Sequence, residues 1–96
     1  MIVTFADKAT EDLFHGRASS RLRRFPEDVQ LAALYKLDIL NAAYSLLDVK
    51  SPPGNRLEAL KGNLKGYYSI RINNQWRVVF RFENSNAYDV QIIDYH

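Results

Sequence analysis

The sequence predicts an α+β fold, on two observations. Up to about residue 50, apolar residues return at helical spacing; beyond Ser51-Pro52-Pro53-Gly54-Asn55 they return at every second position. The expected architecture is a short N-terminal strand and two helices, then an antiparallel β-meander with the helices on one face.

The elements follow in chain order. Residues 1–5 are β-rich and open as a strand, and Asp7 or Thr10 caps a short helix that runs to Gly16. Residues 17–24 hold four arginines without apolar periodicity, which marks an exposed connection serving either function or solubility. At Phe25-Pro26-Glu27-Asp28 a long helix starts, with proline and acids in its first turn where the absent N–H and the positive dipole end suit them. Val29, Ala33, Leu37, Leu40, Tyr44 and Leu47 share one helical face; Leu31, Tyr35, Ile39, Ala42 and Leu46 form a second stripe beside it. That second stripe either joins the core or receives a partner protein. The strands expected in the meander are residues 57–60, 67–72, 75–82 and 87–95. Between them, the Gly62 to Gly66 stretch, Asn73-Asn74 and residues 84–86 make the turns.

A length of 96 residues with 47% hydrophobic content suits one compact domain over residues 1–96 and is too small for two. No apolar run approaches the roughly 18 residues of a membrane span, and residues near the N-terminus lack the basic-then-apolar order of an export signal, so a cytoplasmic protein without a membrane partner is expected. With no cysteine and only His15 and His96, neither disulfides nor an ordinary zinc site is expected, and the residues call for no cofactor.

Net charge is only +2, but it is unevenly spread. Lys50, Arg56, Lys61, Lys65, Arg71, Arg77 and Arg81 are accompanied within that stretch by a single acid, Glu58. A polyanionic partner and a solvated basic surface both fit such a segment. Strand alternation sharpens the choice. In residues 75–82, Trp76, Val78, Phe80 and Phe82 point to the helices, which leaves Arg77, Val79 and Arg81 on the open face. In the preceding strand Tyr68, Ile70 and Ile72 take the core side and Tyr67, Ser69 and Arg71 the open side. The last strand is ambiguous, because Tyr88/Val90/Ile92 and Ile93/Tyr95 are both apolar sets.

A basic face dotted with aromatic rings suits single-stranded RNA, whose phosphates take arginine and lysine and whose bases stack on rings. Glu58 and His96 add chemistry. Cleavage through a ribose 2′-hydroxyl needs a base for that proton, an acid for the leaving 5′-oxygen, and fixed cations for the charge on phosphorus. Read singly, each has a plainer role: Glu58 as a surface ion-pair partner, His96 as a frayed end.

Three segments carry a family resemblance: Glu58-Ala-Leu-Lys-Gly62; Gly66-Tyr-Tyr-Ser-Ile-Arg-Ile-Asn73 with Gln75-Trp-Arg-Val-Val-Phe80; and Ile93-Asp-Tyr-His96. In order and spacing they resemble the RelE superfamily of toxins, over nearly the whole chain. The Asp-Tyr-His ending and the Pro-Pro-Gly-Asn-Arg-Leu approach look most like HigB-type members, including the kind called GraT. The resemblance implies a RelE-like fold and a ribosome-dependent messenger-RNA endoribonuclease acting in the 30S A site. It also implies a HigA-type helix-turn-helix antitoxin, through which the toxin–antitoxin complex sits on operator DNA. By the same resemblance Glu58 matches the general base of YoeB-like members, Arg77 the arginine that stabilises the scissile phosphate, and His96 the general acid, with Tyr95 beside it. Arg56, Lys61, Lys65, Tyr67, Arg71 and Arg81 are the expected RNA contacts. Some HigB members carry histidine where Glu58 stands, so this chain joins a HigB-like ending to a YoeB-like base. The rival function on the same scaffold is non-catalytic inhibition of DNA gyrase, as in ParE-like toxins; a third is plain RNA or protein binding.

Overall fold

A computed structural model describes residues 1–95. The helices are α1 (Lys8–His15), α2 (Glu27–Ala42) and α3 (Leu46–Lys50), and the strands are β1 (Glu58–Ala59), β2 (Tyr68–Arg71), β3 (Trp76–Glu83) and β4 (Asn86–Asp94). The four strands form an antiparallel sheet in the order β1-β2-β3-β4, which is the expected meander. Residues 1–6 lie along the outer edge of β4 but run parallel to it, bonded through Val3 N to the Ala87 carbonyl (2.8 Å) and Ala6 N to the Val90 carbonyl (2.9 Å). The period of two marks an extended segment; it carries no information on direction.

Asp7 caps α1 by accepting from Thr10 N at 2.7 Å, and Gly16 closes it in the left-handed region at φ 71°. Thr10 is thus inside the helix, where its hydroxyl accepts from Ile92 N at 3.0 Å and ties α1 to β4. The arginine-rich connection is partly structural. Buried Asp12 accepts from Ser19 (2.9 Å) and Arg21 (3.2 Å), with Arg17 at 3.7 Å. These bonds, Ser19 foremost, hold the Asp12 carboxyl below the usual range. Because a lowered folded pKa stabilises above the unfolded value of about 4 and is lost as pH falls through the folded one, Asp12→Asn should flatten the acid limb of a plot of melting temperature against pH. An unchanged limb would show that Asp12 is not a source of acid sensitivity.

The long helix expected to reach about residue 50 stops at Ala42. Ser45 then opens α3 with a capping box, Asp48 accepting from Tyr44 N (2.8 Å) and Ser45 N (3.2 Å). Three α-helices therefore replace the two expected, and the core face ends at Leu40: Val29, Ala33, Leu37 and Leu40 are buried, whereas Tyr44 and Leu47 are exposed. Leu31 and Tyr35 of the second stripe are also exposed, whereas Leu46 packs against the core, so that stripe joins it only at its end. No helix among the described residues is long and apolar enough to cross a membrane.

The core lies between α1, α2 and one sheet face, where Phe25, Leu37, Ile70, Val78, Phe80, Val90 and Ile92 meet. The ambiguity in β4 is resolved by a bulge. Arg81 pairs with Tyr88 and Val79 with Gln91, so Phe80 faces two residues, Asp89 and Val90, and Asp89 adopts φ 54°. The extra residue shifts the alternation by one, sending Ala87, Val90 and Ile92 inward and Tyr88 outward to Arg81, whose guanidinium sits 5.3 Å from its ring. Tyr88 therefore does not share a face with Val90 and Ile92.

Candidate active site

The β2–β3 pairing sets Ser69 opposite Val79 and Arg71 opposite Arg77, while β1–β2 sets Glu58 opposite Ser69. Glu58, Ser69 and Arg77 thus meet on the sheet face away from the helices, and Tyr95 joins them because Tyr95 N donates to the Gln75 carbonyl at 2.6 Å. Glu58, Arg77 and Tyr95 line a polar cleft of about 240 Å³ with Arg56, Arg71, Asn73 and Asn74, while Ser69 is buried. A larger cavity of about 310 Å³, beside the end of α2 and the β3–β4 turn, has no Asp, Glu, His, Lys or Arg in its lining.

Arg77 is the best-fixed group of the cleft. It lies on the predicted face, yet that face is not open there: Arg77 is only 7% exposed, with Ser69 and Val79 buried beside it. Its Nε donates to Ser69 Oγ at 2.8 Å, and Nη2 donates to the Arg56 carbonyl at 2.6 Å and to the Ser69 carbonyl at 3.4 Å. A guanidinium is planar, so two held edges orient the third. Nη1 approaches Glu58 Oε1 at 3.9 Å, a loose pair in which the carboxylate is half exposed. The Tyr95 ring covers the guanidinium at 5.5 Å from its centroid. A buried, oriented cation beside an accessible carboxylate and a ring suits a phosphodiester: charge for phosphorus, a proton acceptor for the ribose, a surface for a base.

The other sequence-selected residues divide. Arg56 and Arg71 stand on the cleft rim, Arg71 bonded to the Asn74 side chain. Lys61 and Lys65 are exposed on the Gly62–Leu64 turn between β1 and β2. Tyr67 and Arg81 belong to a separate cluster around Asp89, which accepts from Arg81 Nε at 2.9 Å and from the Tyr67 hydroxyl at 3.2 Å, with Thr4 at 3.5 Å. The Arg81 bond holds the Asp89 carboxyl below its usual range and raises the Arg81 guanidinium further. His96 lies outside the described residues. Sequence reasoning missed Ser69, Asn73 and Asn74. For Ser69 the available signal was a small hydroxyl between large neighbours on the strand paired with Arg77; nothing comparable marks the two asparagines beyond their turn.

Residues 3–96 match the family model described as RelE-like toxin of type II toxin–antitoxin system HigB. The chain belongs to this family. Toxin HigB-1 of Vibrio cholerae is 41% identical over 87 residues, covering 91% of this chain and 90% of the relative. A protein of Proteus vulgaris named Endoribonuclease HigB is 44% identical over 41 residues, which is 43% of this chain and 45% of that one. Among solved structures, a chain of the YoeB-YefM complex from Staphylococcus aureus superposes with a TM-score of 0.56 at 25% identity, over 100% of this chain and 95% of its own. The YoeB/ParE toxin of Agrobacterium tumefaciens shares the fold at a TM-score of 0.55 and 20% identity, over 99% of this chain and 98% of that one. The fold is therefore the RelE-like α+β fold, and this HigB-family toxin is paired with an antitoxin, as its family description states.

Proposed function

We propose that this HigB-family toxin is an endoribonuclease that cuts messenger RNA in the 30S A site of the ribosome. The observation that carries the reading is the meeting of Glu58, Arg77 and Tyr95 in one polar cleft. Glu58 takes the 2′-hydroxyl proton, the 2′-oxygen attacks phosphorus, and Arg77 Nη1 meets the charge that builds on the phosphoryl oxygens. His96 protonates the leaving 5′-oxygen, so the products are a 2′,3′-cyclic phosphate and a 5′-hydroxyl. Tyr95 stacks against RNA or Arg77, and Arg56, Arg71, Lys61 and Lys65 contact the backbone; Tyr67 and Arg81 contribute through the face that Asp89 orders. The name Endoribonuclease HigB of the Proteus vulgaris relative supports the same chemistry.

One toxin domain over residues 1–96 acts in the cytoplasm without a metal or cofactor. Its partner is a HigA-type helix-turn-helix antitoxin, and the toxin–antitoxin complex reaches operator DNA through that antitoxin. Ribosome dependence has a physical basis: the Glu58 carboxylate is half exposed, and RNA has to be clamped with its 2′-hydroxyl against it before the proton can pass.

The test maps RNA ends after incubation of messenger RNA with untagged toxin, with and without 70S ribosomes, alongside Glu58→Gln and His96→Gln. Ribosome-dependent cuts with cyclic-phosphate ends, slowed on the order of 100-fold by either substitution, are expected. Cleavage indifferent to both would remove the acid–base assignment. No cleavage, with supercoiling inhibited instead, would establish gyrase as the target.

A further inference from the structure

Asn55 is fully buried although it ends the short Pro53–Asn55 turn in a surface loop. A buried amide must have its hydrogen-bonding groups satisfied, and this one uses all of them to join three parts of the chain. Its Nδ2 donates to the Val49 carbonyl of α3 at 2.9 Å and to the Ser51 carbonyl at 3.3 Å, and its Oδ1 accepts from the Lys36 ammonium of α2. Lys36 is half-buried there, and burial lowers its pKa. The next residue, Arg56, has φ 45°, a left-handed conformation that a non-glycine residue keeps only when its surroundings impose it. The Arg56 carbonyl is the acceptor that holds Arg77 Nη2 at 2.6 Å.

We infer that Asn55, braced by Lys36, is a positioning residue for Arg77, aiming the Arg56 carbonyl that fixes one edge of its guanidinium. The inference rests on the phosphate-stabilising role proposed for Arg77. One planar peptide joins the anchored Asn55 to Arg56, whose N–H donates to the Pro53 carbonyl at 3.1 Å, and with φ 45° and ψ 59° at Arg56 the loop then delivers its carbonyl to Nη2. With Ser69 on Nε and this carbonyl on Nη2, the Nη1 edge is what remains for phosphate. Without the anchor the loop drifts, the carbonyl leaves Nη2, and the guanidinium turns within a cleft where about 1 Å of misplacement costs on the order of 100-fold in rate.

The experiment is a double-mutant cycle in single-turnover cleavage of ribosome-bound messenger RNA by the full chain. Asn55→Ala should lower the rate at saturating toxin by roughly 10-fold or more, and leave the half-saturating concentration within about 2-fold. Lys36→Met, which keeps the aliphatic stem, should lose roughly 3-fold, and Asn55→Asp, which keeps the acceptor but loses both donors, should fall between the two. Added to Arg77→Ala, Asn55→Ala should cost no more than about 2-fold further, because it acts through a group already gone. Full additivity, or a loss confined to the half-saturating concentration, would overturn the inference. The Arg77 Nε–H resonance is read in parallel in wild type, Asn55→Ala and Lys36→Met. It should move in both variants, and a resonance unmoved in both likewise overturns the inference. If Arg77→Ala cleaves like wild type, the proposed role of Arg77 fails, while a moved resonance still establishes the positioning. Should Asn55→Ala not fold, Lys36→Met and Asn55→Asp decide the same question.

Discussion

Arg77→Ala is expected to slow single-turnover cleavage of ribosome-bound messenger RNA by roughly 100- to 1,000-fold, about 3–4 kcal/mol of transition-state stabilisation. The magnitude follows from geometry. Arg77 is buried and oriented by Ser69 and the Arg56 carbonyl, so its charge needs little reorganisation when the phosphorane forms. Arg77→Lys should recover only part of the loss, since an ammonium cannot bond Ser69 and Arg56 and still present a third edge. Arg71→Ala, on the half-exposed rim and bonded to the exposed Asn74, should cost about 10-fold or less, mostly in the half-saturating concentration. Equal losses at Arg71 and Arg77 would reduce both to electrostatic RNA binding. Because Arg77→Ala leaves the Ser69 hydroxyl and the Arg56 carbonyl without their donor, melting curves must accompany the rates.

Phe80→Ala should be the most damaging change in the core, destabilising the toxin by about 3–5 kcal/mol. The Phe80 ring is fully buried at the centre of β3, 6.1 Å from Tyr68 and 6.4 Å from Phe82, on the face opposite Arg77. For a chain of this size such a loss lowers the melting temperature by about 15–30 °C and removes a large share of a typical total stability of about 5–15 kcal/mol. Leu31→Ala, on the exposed stripe of α2, should stay within about 0.5 kcal/mol. Urea titration of both variants checks the contrast; a Phe80→Ala loss below about 1 kcal/mol would show that the site collapses around the missing ring.

Phe80 also stands opposite the bulge, and it shows where local pattern stops. Alternation placed Phe80 inward and Arg77 outward, and both placements hold, because a strand's side-chain period is a property of its own backbone. Alternation left β4 open, because the extra residue at Asp89 changes the phase halfway along, and that residue is held by Arg81 of β3 and by Tyr67 just ahead of β2. The end of α2 was misplaced for a related reason. Apolar residues continue at helical spacing through Tyr44 and Leu47, but Asp48 caps a new helix through Tyr44 N and Ser45 N, and the exposed side chains beyond Leu40 do not contribute to the core.

The candidate site divides the same way. Glu58, Arg77 and Tyr95 were selected from residue type and family resemblance, and the cleft brings them together. Tyr67 and Arg81 looked equivalent to Arg71 in the strand pattern, yet their polar groups are taken by Asp89. Ser69 was placed on the open face and Asn55 in the segment that breaks the helix, but neither was given a role, since a serine in a strand and an asparagine after Pro-Pro-Gly are ordinary in sequence.

By itself, then, the sequence determined the α+β class, the first two helices apart from the end of α2, the meander strands, the core side of β2 and β3, and the family to which the toxin belongs. Each of these depends on neighbours within a few residues or on an order of short motifs. Only the tertiary structure decided that residues 1–6 run parallel to β4, that Arg77 is a buried cation held by Ser69 and the Arg56 carbonyl, and that Arg81 is bound to an aspartate. Those features are bonds between residues from 8 to more than 80 positions apart, and no local period encodes which distant donor meets which acceptor.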